Sequence, residues 1–235
     1  PHEASLEMVP QLVGQVGCVV DLSAAFRLKN ASAYPTYYGF DHAQPKLLAE
    51  AVYGLPERHR ASLPGARLVA TPGCYVTAAT LALAPLVDAG VIETTGVIVD
   101  AASGVSGAGR APKHTNLFCT VDEDMTAYGL IDHRHTPEME EQIGATLLFT
   151  PHLVPMNRGI LATCYARPAR SVSTADLLQV LSNAYANEPF VVVREDAPST
   201  KATLGSNAVH ITARFDERTG HVMVISALDN LCKGA

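Results

Sequence analysis

The chain has 235 residues, 48% of them hydrophobic and 17% charged, so it can bury a substantial core as one large domain or two modest ones, which excludes a disordered protein. Its formal net charge of −6 and the lack of a basic stripe interleaved with aromatic residues argue against a nucleic-acid partner. No apolar run reaches the roughly 18 residues that a membrane-spanning helix needs, because Gly, Pro, Asp or Arg interrupts every candidate.

The cysteines argue against a disulfide framework or a structural zinc site. They are odd in number, contain no CxxC pair and stand far apart, at Cys18, Cys74, Cys119, Cys164 and Cys232. We therefore expect reduced thiols, a cytoplasmic protein and no metal. The chain starts at Pro1 without Met and without the charged and apolar segments of a signal peptide, which predicts that it begins inside a longer protein.

The first third of the chain carries two short strand patterns. Residues 16–22 are apolar and β-branched around a polar Asp21, which predicts a buried, possibly parallel strand whose polar end could face a ligand. Residues 67–70 predict a second strand. Between them, residues 29–64 are rich in Pro, Gly, Tyr and His, so we expect mostly connecting segments with one short helix near residues 47–52.

Cys74 stands between a strand pattern and a helix pattern. Pro72 and Gly73 precede it, and a long apolar helix is predicted over residues 75–87. At a helix start, backbone N–H groups and the helix dipole favour a thiolate and can hold an oxyanion. Cys74 is therefore a candidate nucleophile. The alternative is a free cysteine in the core, because Cys is among the most buried residue types.

A glycine-rich segment follows the next strand, which is predicted at residues 97–100. Such a segment lets backbone approach a ligand closely, and here it ends in a cation. Its sequence is Ser103-Gly104-Val105-Ser106-Gly107-Ala108-Gly109-Arg110. It is neither a Walker loop nor a GxGxxG motif, so an ordinary turn is the alternative interpretation.

Two histidines precede a further predicted helix. His133, Arg134 and His135 lead into residues 136–138, where an N-cap residue, a Pro at the first helical position and an acidic first turn mark a helix start. An imidazole that titrates near neutrality suits proton transfer, whereas a solvated turn is the alternative. A zinc site is disfavoured because two histidines four residues apart on a helix are missing.

The later part of the chain is rich in strands. The patterns predict a mixed sheet faced by helices on one side, with an amphipathic helix at residues 174–186 and strands at residues 147–150, 160–166, 190–194, 208–215 and 221–226. Arg158 lies in a polar corner just before one strand. A surface arginine is the default interpretation. The planar fork of arginine nevertheless suits phosphate and carboxylate groups, so Arg110 and Arg158 are our candidates for the anionic ends of a substrate.

The order of five motifs resembles that of the N-acetyl-γ-glutamyl-phosphate reductases of arginine biosynthesis, relatives of aspartate-semialdehyde dehydrogenase. The motifs are PGCY (72–75), SGVSGAGR (103–110), HRHTPE (133–138), VPMNRGILAT (154–163) and DNLCKGA (229–235). The match covers nearly the whole chain, and five ordered motifs are far more specific than any one. Four positions depart from the family's usual residues without removing a reacting group: Ala25, Thr71, Val76 and Asp132.

The resemblance implies an α/β fold in three parts. Residues 1–72 would be the C-terminal part of a dinucleotide-binding domain, the remnant of a Rossmann-type parallel sheet. Residues 73–228 would form an α+β catalytic and dimerisation domain with a mixed sheet. Residues 229–235 would start the segment that returns to the first domain, and the protein is expected to be a homo-oligomer, a dimer or a tetramer.

The resemblance also implies a chemistry. Cys74 would attack the acyl carbon of an N-acylated γ-glutamyl phosphate, and the thioester would accept a hydride from NADPH. His133, the first histidine of its motif, would be the acid/base. Contacts with the cofactor or with the phosphate would come from Ser103, Gly104, Ser106 and Gly107. Asn230, also assigned to cofactor binding, matches the family position near the nicotinamide.

Three alternatives remain open at this point. An N-acyl-aminoadipyl-phosphate reductase of lysine biosynthesis acts on a substrate one methylene longer, a difference of only about 1 to 3 kcal/mol in discrimination. A cysteine–histidine hydrolase would need the Cys/His pair alone but would leave the motifs at residues 103–110 and 229–235 unexplained. A non-catalytic assembly module is the third.

Overall fold

The computed structural model describes residues 2–235 and divides them into two compact units. One runs from the N-terminal region to Gly73 and includes Ala235, and the other is Cys74–Gly234. The assignment of these parts to cofactor binding and to catalysis stays a prediction.

The first unit is built on a three-stranded parallel sheet in the order β1-β3-β2. The strands are β1 (Val19–Asp21), β2 (Val52–Tyr53) and β3 (Leu68–Ala70), and Asp21 pairs with Ala70. The helices are α1 (His2–Leu12), α2 (Tyr34–Tyr38), α3 (Pro45–Glu50) and α4 (Pro56–His59). Both predicted strands are confirmed, and the first is parallel.

Two expectations for this unit were wrong in detail. Val20 is 58% exposed, so the first strand is buried on one side and not on both. The segment 29–64 holds three α-helices and a strand, where mostly connection was expected. Its helices form because Tyr34 packs in the core and because Pro occupies the first turn of each.

The second unit is a seven-stranded mixed sheet in the order β5-β6-β4-β7-β10-β9-β8. Its strands are β4 (Val97–Gly104), β5 (Thr126–Ala127), β6 (Leu147–Val154), β7 (Ile160–Ala166), β8 (Val191–Val193), β9 (Val209–Asp216) and β10 (His221–Leu228). The β4–β6 and β8–β9 pairs are parallel, whereas the other pairs are antiparallel. The predicted mixed sheet is confirmed.

Helices cover one face of this sheet. The helices in contact with its strands are α5 (Cys74–Asp88), α7 (Thr136–Ile143), α8 (Thr174–Ala184) and α9 (Thr200–Thr203), and the short helix α6 (Phe118–Val121) packs on the 3-10 helix at His114–Asn116. Helix α5 contacts β7 and β10 as well as α7 and α8, and its side chains from Tyr75 to Leu86 are buried. Hydrogen bonds from Ser226 and Tyr185 hydroxyls to main-chain carbonyls of α5 hold this central helix in place.

The opposite face of the sheet remains partly exposed. In β7, Ile160, Ala162 and Cys164 on the helix side are fully buried, while the alternate residues Leu161 and Thr163 are half-buried. Ile98 of β4 and Leu148 of β6 are register partners on the outer face, with 37% and 49% of their surface exposed. Successive side chains of a strand point to opposite faces, so the buried residues share the face that packs on α5. The core therefore lies between the sheet and α5.

Two boundaries matter for the site. Strand β4 continues to Gly104, so Ser103 and Gly104 belong to the strand and only the rest of the predicted glycine loop is a turn, with a 3-10 helix at Val105–Ala108. Helix α7 starts at Thr136 with His135 as its N-cap, one residue before the predicted cap.

Candidate active site

Cys74 is the first residue of the 15-residue helix α5, and its side chain is partly exposed. The turn that follows β10 approaches it closely, because a Cβ added at Gly234 would lie 2.9 Å from the Cβ of Cys74 and 2.9 Å from the Cα of Asn230. Backbone N–H groups at the start of a helix this long stabilise an anion. The position suits a nucleophilic thiolate.

The neighbouring Tyr75 belongs to a chain of hydrogen bonds. Its hydroxyl donates to the carbonyl oxygen of His152 at 3.1 Å and accepts from the hydroxyl of Tyr128, also at 3.1 Å. Burial raises the pKa of both tyrosines above the ordinary value, and the nearby charge of a Cys74 thiolate raises both further. Both phenols therefore stay protonated over the working pH range.

His133 sits in an aromatic cluster that includes Tyr75, the residue after Cys74 in α5. Its ring centroid lies 5.9 Å from that of Tyr75, 5.5 Å from that of Tyr128 and 5.1 Å from that of Phe149, each in an edge-to-face arrangement. Burial, reinforced by the positive charge of Arg134 and opposed by Asp132, lowers the pKa of His133 to about 4. The imidazole is thus uncharged near neutral pH.

One hydrogen bond assigns the tautomer of His133. The backbone N–H of His135 donates to Nδ1 of His133 at 3.1 Å, so the ring proton of the neutral imidazole lies on Nε2. Gly129 leaves room for the ring: its φ is 54°, and a Cβ there would come within 3.0 Å of Cδ2 of His133. In this tautomer His133 is a hydrogen-bond donor, ready to stabilise a developing oxyanion.

The predicted cofactor residues meet where β4 ends. Gly104 N donates to Gly159 O, and a Cβ at Gly104 would lie 2.8 Å from the carbonyl oxygen of Asn157. Asn230 joins the two turns: its Oδ1 accepts from Gly159 N at 2.7 Å and its Nδ2 donates to Ser106 Oγ at 3.0 Å. The Ser106 and Asn230 side chains are therefore in direct contact.

Ser103 and Gly107 lie next to this junction. Ser103 is buried and donates to Gly104 O, and a Cβ at Gly107 would meet its hydroxyl at 2.7 Å. Gly107 itself is exposed. Close approach to backbone atoms thus requires glycine at Gly104, whereas at Gly107 the close atom is a side-chain hydroxyl.

Arg110 and Arg158 line different cavities. Arg110 is exposed and lines a cavity of about 380 Å³ together with Ser106, Asn157 and the ring of Phe118. Arg158 lines a second cavity of about 420 Å³ with Lys201, and Asn157 borders both. The structure therefore does not bring the two arginines into one pocket.

A buried carboxylate anchors Arg158. Its Nε and Nη2 atoms lie 3.2 and 3.1 Å from Oδ1 of the fully buried Asp229, and Nη2 also donates to the sulfur of Cys232. Burial disfavours ionisation of Asp229, but hydrogen bonds from the N–H groups of Gly205 and Leu231 and from Arg158 outweigh it and hold the pKa of Asp229 below its ordinary value.

Sequence reasoning missed the participation of Tyr128, Asp229 and Gly234. Tyr128 lies outside every motif. The one sequence signal for it is that an aromatic residue directly follows a short strand. Asp229 and Gly234 belong to the last motif, in which Asn230 alone was singled out.

Among residues 2–235, no group of three or more His, Cys, Asp or Glu side chains is arranged to hold a metal ion. Within the same range, no helix combines the length and apolar character needed to cross a bilayer.

Comparison with known proteins gives a consistent pattern. The family described as "Semialdehyde dehydrogenase, dimerisation domain" matches residues 74–230. A protein named N-acetyl-gamma-glutamyl-phosphate reductase from Pelobacter propionicus is 49% identical over 100% of this chain and 70% of its own length. Proteins of the same name from Magnetococcus marinus and Geobacter sulfurreducens are 47% and 49% identical with the same coverage.

The fold has solved counterparts. The crystal structure of aspartate semialdehyde dehydrogenase II from Vibrio cholerae superimposes with a TM-score of 0.74 at 16% identity, covering 100% of this chain and 73% of that one. Aspartate semialdehyde dehydrogenase from Francisella tularensis gives a TM-score of 0.69 at 13% identity, covering 99% and 76%. Both units thus share the semialdehyde dehydrogenase fold.

Proposed function

Because the chain belongs to the family of N-acetyl-γ-glutamyl-phosphate reductases, enzymes of arginine biosynthesis, we propose that it reduces N-acetyl-γ-glutamyl phosphate to N-acetylglutamate semialdehyde with NADPH, through a thioester at Cys74. The observation that supports this mechanism best is the pairing of a cysteine at the start of a long helix with a neutral histidine in the adjoining aromatic cluster.

Cys74 is the proposed nucleophile. Its thiolate forms a bond to the acyl carbon, the carbon–oxygen bond to phosphate breaks, and inorganic phosphate leaves with the electron pair. The amides at the start of α5 stabilise the thiolate before attack and the oxyanion during it. One covalent intermediate replaces a difficult reduction with two easier steps.

His133 acts after reduction of the thioester carbon. The thiohemiacetal oxyanion accepts a hydrogen bond from Nε2–H, the nitrogen that the His135 N–H bond leaves protonated, and shares its proton. That proton returns to Nε2 as the oxygen re-forms the carbonyl double bond and the carbon–sulfur bond breaks, which releases the aldehyde and restores the thiolate.

The residues present fit a nicotinamide. The 380 Å³ cavity combines the Ser106 hydroxyl, the backbone at Gly109 and the apolar ring of Phe118, a mixture of hydrogen-bonding groups and flat apolar surface that suits such a ring. A bound NADPH supplies the hydride. Ser106 and Gly107 would contact it, with Asn230 holding the Ser106 hydroxyl and Ser103 and Gly104 shaping the backbone beneath.

The anionic ends of the substrate are assigned to the arginines. Arg110 is exposed beside the proposed cofactor cavity, and Arg158 presents a guanidinium oriented by Asp229 to the cavity that also contains Lys201. Arginine binds both phosphate and carboxylate with two parallel hydrogen bonds.

The match to a dimerisation domain supports a homo-oligomer. We assign the contact between subunits to the outer face of the seven-stranded sheet. Ile98 and Leu148 lie side by side there, and Tyr165 of β7 is the register partner of Ile98. A partly exposed apolar sheet face of this kind typically marks an interface.

Initial-rate assays test the proposal in the reverse direction, following phosphate-dependent NADPH formation from N-acetylglutamate semialdehyde. We expect turnover with NADP and with this substrate in preference to its homologue with one more methylene. Turnover without phosphate, or a preference for the longer aldehyde, would contradict the assigned reaction or substrate.

A further inference from the structure

The hydroxyl chain from Tyr128 through Tyr75 to the carbonyl of His152 has no step in the mechanism above. Its direction is forced. A carbonyl oxygen can only accept, so the Tyr75 hydroxyl donates its hydrogen bond to the carbonyl of His152. The Tyr128 hydroxyl in turn donates its hydrogen bond to the Tyr75 oxygen. Neither hydroxyl proton is left for the substrate, and both pKa values are raised by burial. The pair is therefore not an acid or a base.

The chain joins three parts of the site. Tyr75 follows the nucleophile in α5, and Tyr128 follows the edge strand β5. The backbone N–H of Tyr128 donates to Pro151 O at 3.1 Å, next to the carbonyl of His152 that ends the chain. Main-chain and side-chain bonds thus tie Tyr128 to one point of β6 and to the residue beside Cys74.

The rings of the chain enclose His133. Tyr75 and Tyr128 contribute two of the three six-membered rings packed edge to face around its imidazole, and Phe149 of β6 contributes the third. The titratable and charged groups around His133 are these two phenols, His135 in ring contact at 4.8 Å, and the adjoining Asp132 and Arg134. Both phenols stay neutral, so the charges at this cluster are those of Asp132 and Arg134, which have opposite effects on His133, and that of the Cys74 thiolate, which acts on both phenols.

We propose that Tyr128 and Tyr75 are positioning residues, whose hydroxyl chain holds the His133 ring in one orientation with Nε2–H as its donor towards the Cys74-bound substrate. The inference rests on the function proposed above. A ring packed on three sides, with Nδ1 bonded to the His135 N–H, has little freedom to rotate. A displacement of about 1 Å in a catalytic group can lower the rate on the order of a hundredfold. Fixing the orientation of the His133 ring therefore explains why two hydroxyl groups are buried beside it.

The test compares Tyr128→Phe, Tyr75→Phe and the double variant with Tyr185→Phe. Tyr185 is the matched control, because its buried hydroxyl also donates to a main-chain carbonyl, that of Leu81, in the same unit. We measure kcat, KM and the titration of the His133 ring protons by NMR. Each Tyr75 or Tyr128 variant should lower kcat by about tenfold to a hundredfold with little change in KM. The pKa of His133 should rise towards its ordinary value as water enters the cluster.

The double variant decides whether the hydroxyls act as a unit. If they do, it should be no slower than the more damaging single variant, because either change breaks the same chain. Effects that multiply, or a His133 titration that moves no more than in Tyr185→Phe, would overturn the proposal. The NMR titration is independent of turnover, so it tests the inference even if Cys74→Ser were to retain activity and disprove the proposed reaction.

Discussion

At the scale of single residues, the site depends on how each titratable group is surrounded. His133 owes its uncharged state to burial among aromatic rings, and its donor nitrogen to one backbone N–H. The sequence suggested an imidazole titrating near neutrality, but its surroundings could not be derived from it. The ring contacts depend on the tertiary placement of Tyr128 and Phe149, and the tautomer depends on the local backbone geometry that brings the His135 N–H to Nδ1.

We expect His133→Asn to lower turnover roughly 10²- to 10⁴-fold, as for a lost general acid/base, and His135→Asn to have a milder effect. Because the folded pKa of His133 is about 4, its protonation should not limit turnover until the pH falls well below its ordinary value of 6.5. Single-turnover rates across pH check both points. A larger loss in His135→Asn, or an acid limb near 6.5 that disappears in His133→Asn, would contradict this assignment.

The two arginines should respond differently to replacement by lysine. Arg110→Lys keeps the charge and loses the fork at an exposed position, so KM for phosphate or substrate should rise while the melting temperature stays unchanged. Arg158→Lys should raise KM and also lower the melting temperature by several degrees, because it weakens the bond to buried Asp229. A lower melting temperature with unchanged KM would restrict Arg158 to holding the turn.

At the scale of elements, the sequence predicted regular structure well and close approaches poorly. The strand at Ile160–Ala166 and the helix α5 follow directly from alternating or continuous apolar residues. Strand β4 extends past Asp100 into the glycine-rich motif because Ala101 to Gly104 pair with β6, and such tertiary pairing is invisible to local patterns. The contact between Gly234 and Cys74 is equally nonlocal.

Gly234→Ala tests that contact. The new methyl group would overlap the Cβ of Cys74 and the backbone of Asn230, so the turn must shift and the nucleophile with it. We expect at least a tenfold loss in kcat/KM, given the sensitivity of catalysis to displacements near 1 Å. Gly17→Ala is the control, since nothing lies within 4 Å of a Cβ there. Equal activity of the two variants would show that the close approach of Gly234 to Cys74 does not matter for catalysis.

At the scale of the whole molecule, the mixed sheet has a partly exposed outer face, and it is on this face that we propose the oligomer contact. The sequence predicted the sheet and the helical layer. It could not identify which exposed apolar residues form one surface, because Ile98 and Leu148 become neighbours only through the β4–β6 register.

A charge on that face should dissociate the oligomer. We expect Ile98→Asp to shift the protein to monomers in sedimentation velocity at micromolar concentration, because it would bury an unpaired carboxylate in the contact. Met8→Asp is the control, at an apolar residue of α1 that is 56% exposed. An unchanged sedimentation coefficient for Ile98→Asp would place the interface elsewhere.

Intact-protein mass spectrometry after mixing with N-acetyl-γ-glutamyl phosphate in the absence of NADPH can detect a covalent thioester on Cys74. We expect one N-acetylglutamyl adduct per chain, removed by hydroxylamine and mapped to Cys74. It should persist in single Ser variants of Cys18, Cys119, Cys164 and Cys232, and Cys74→Ser should show neither the thioester nor turnover. Wild-type turnover by Cys74→Ser, or an adduct that maps to another cysteine, would contradict the thioester mechanism.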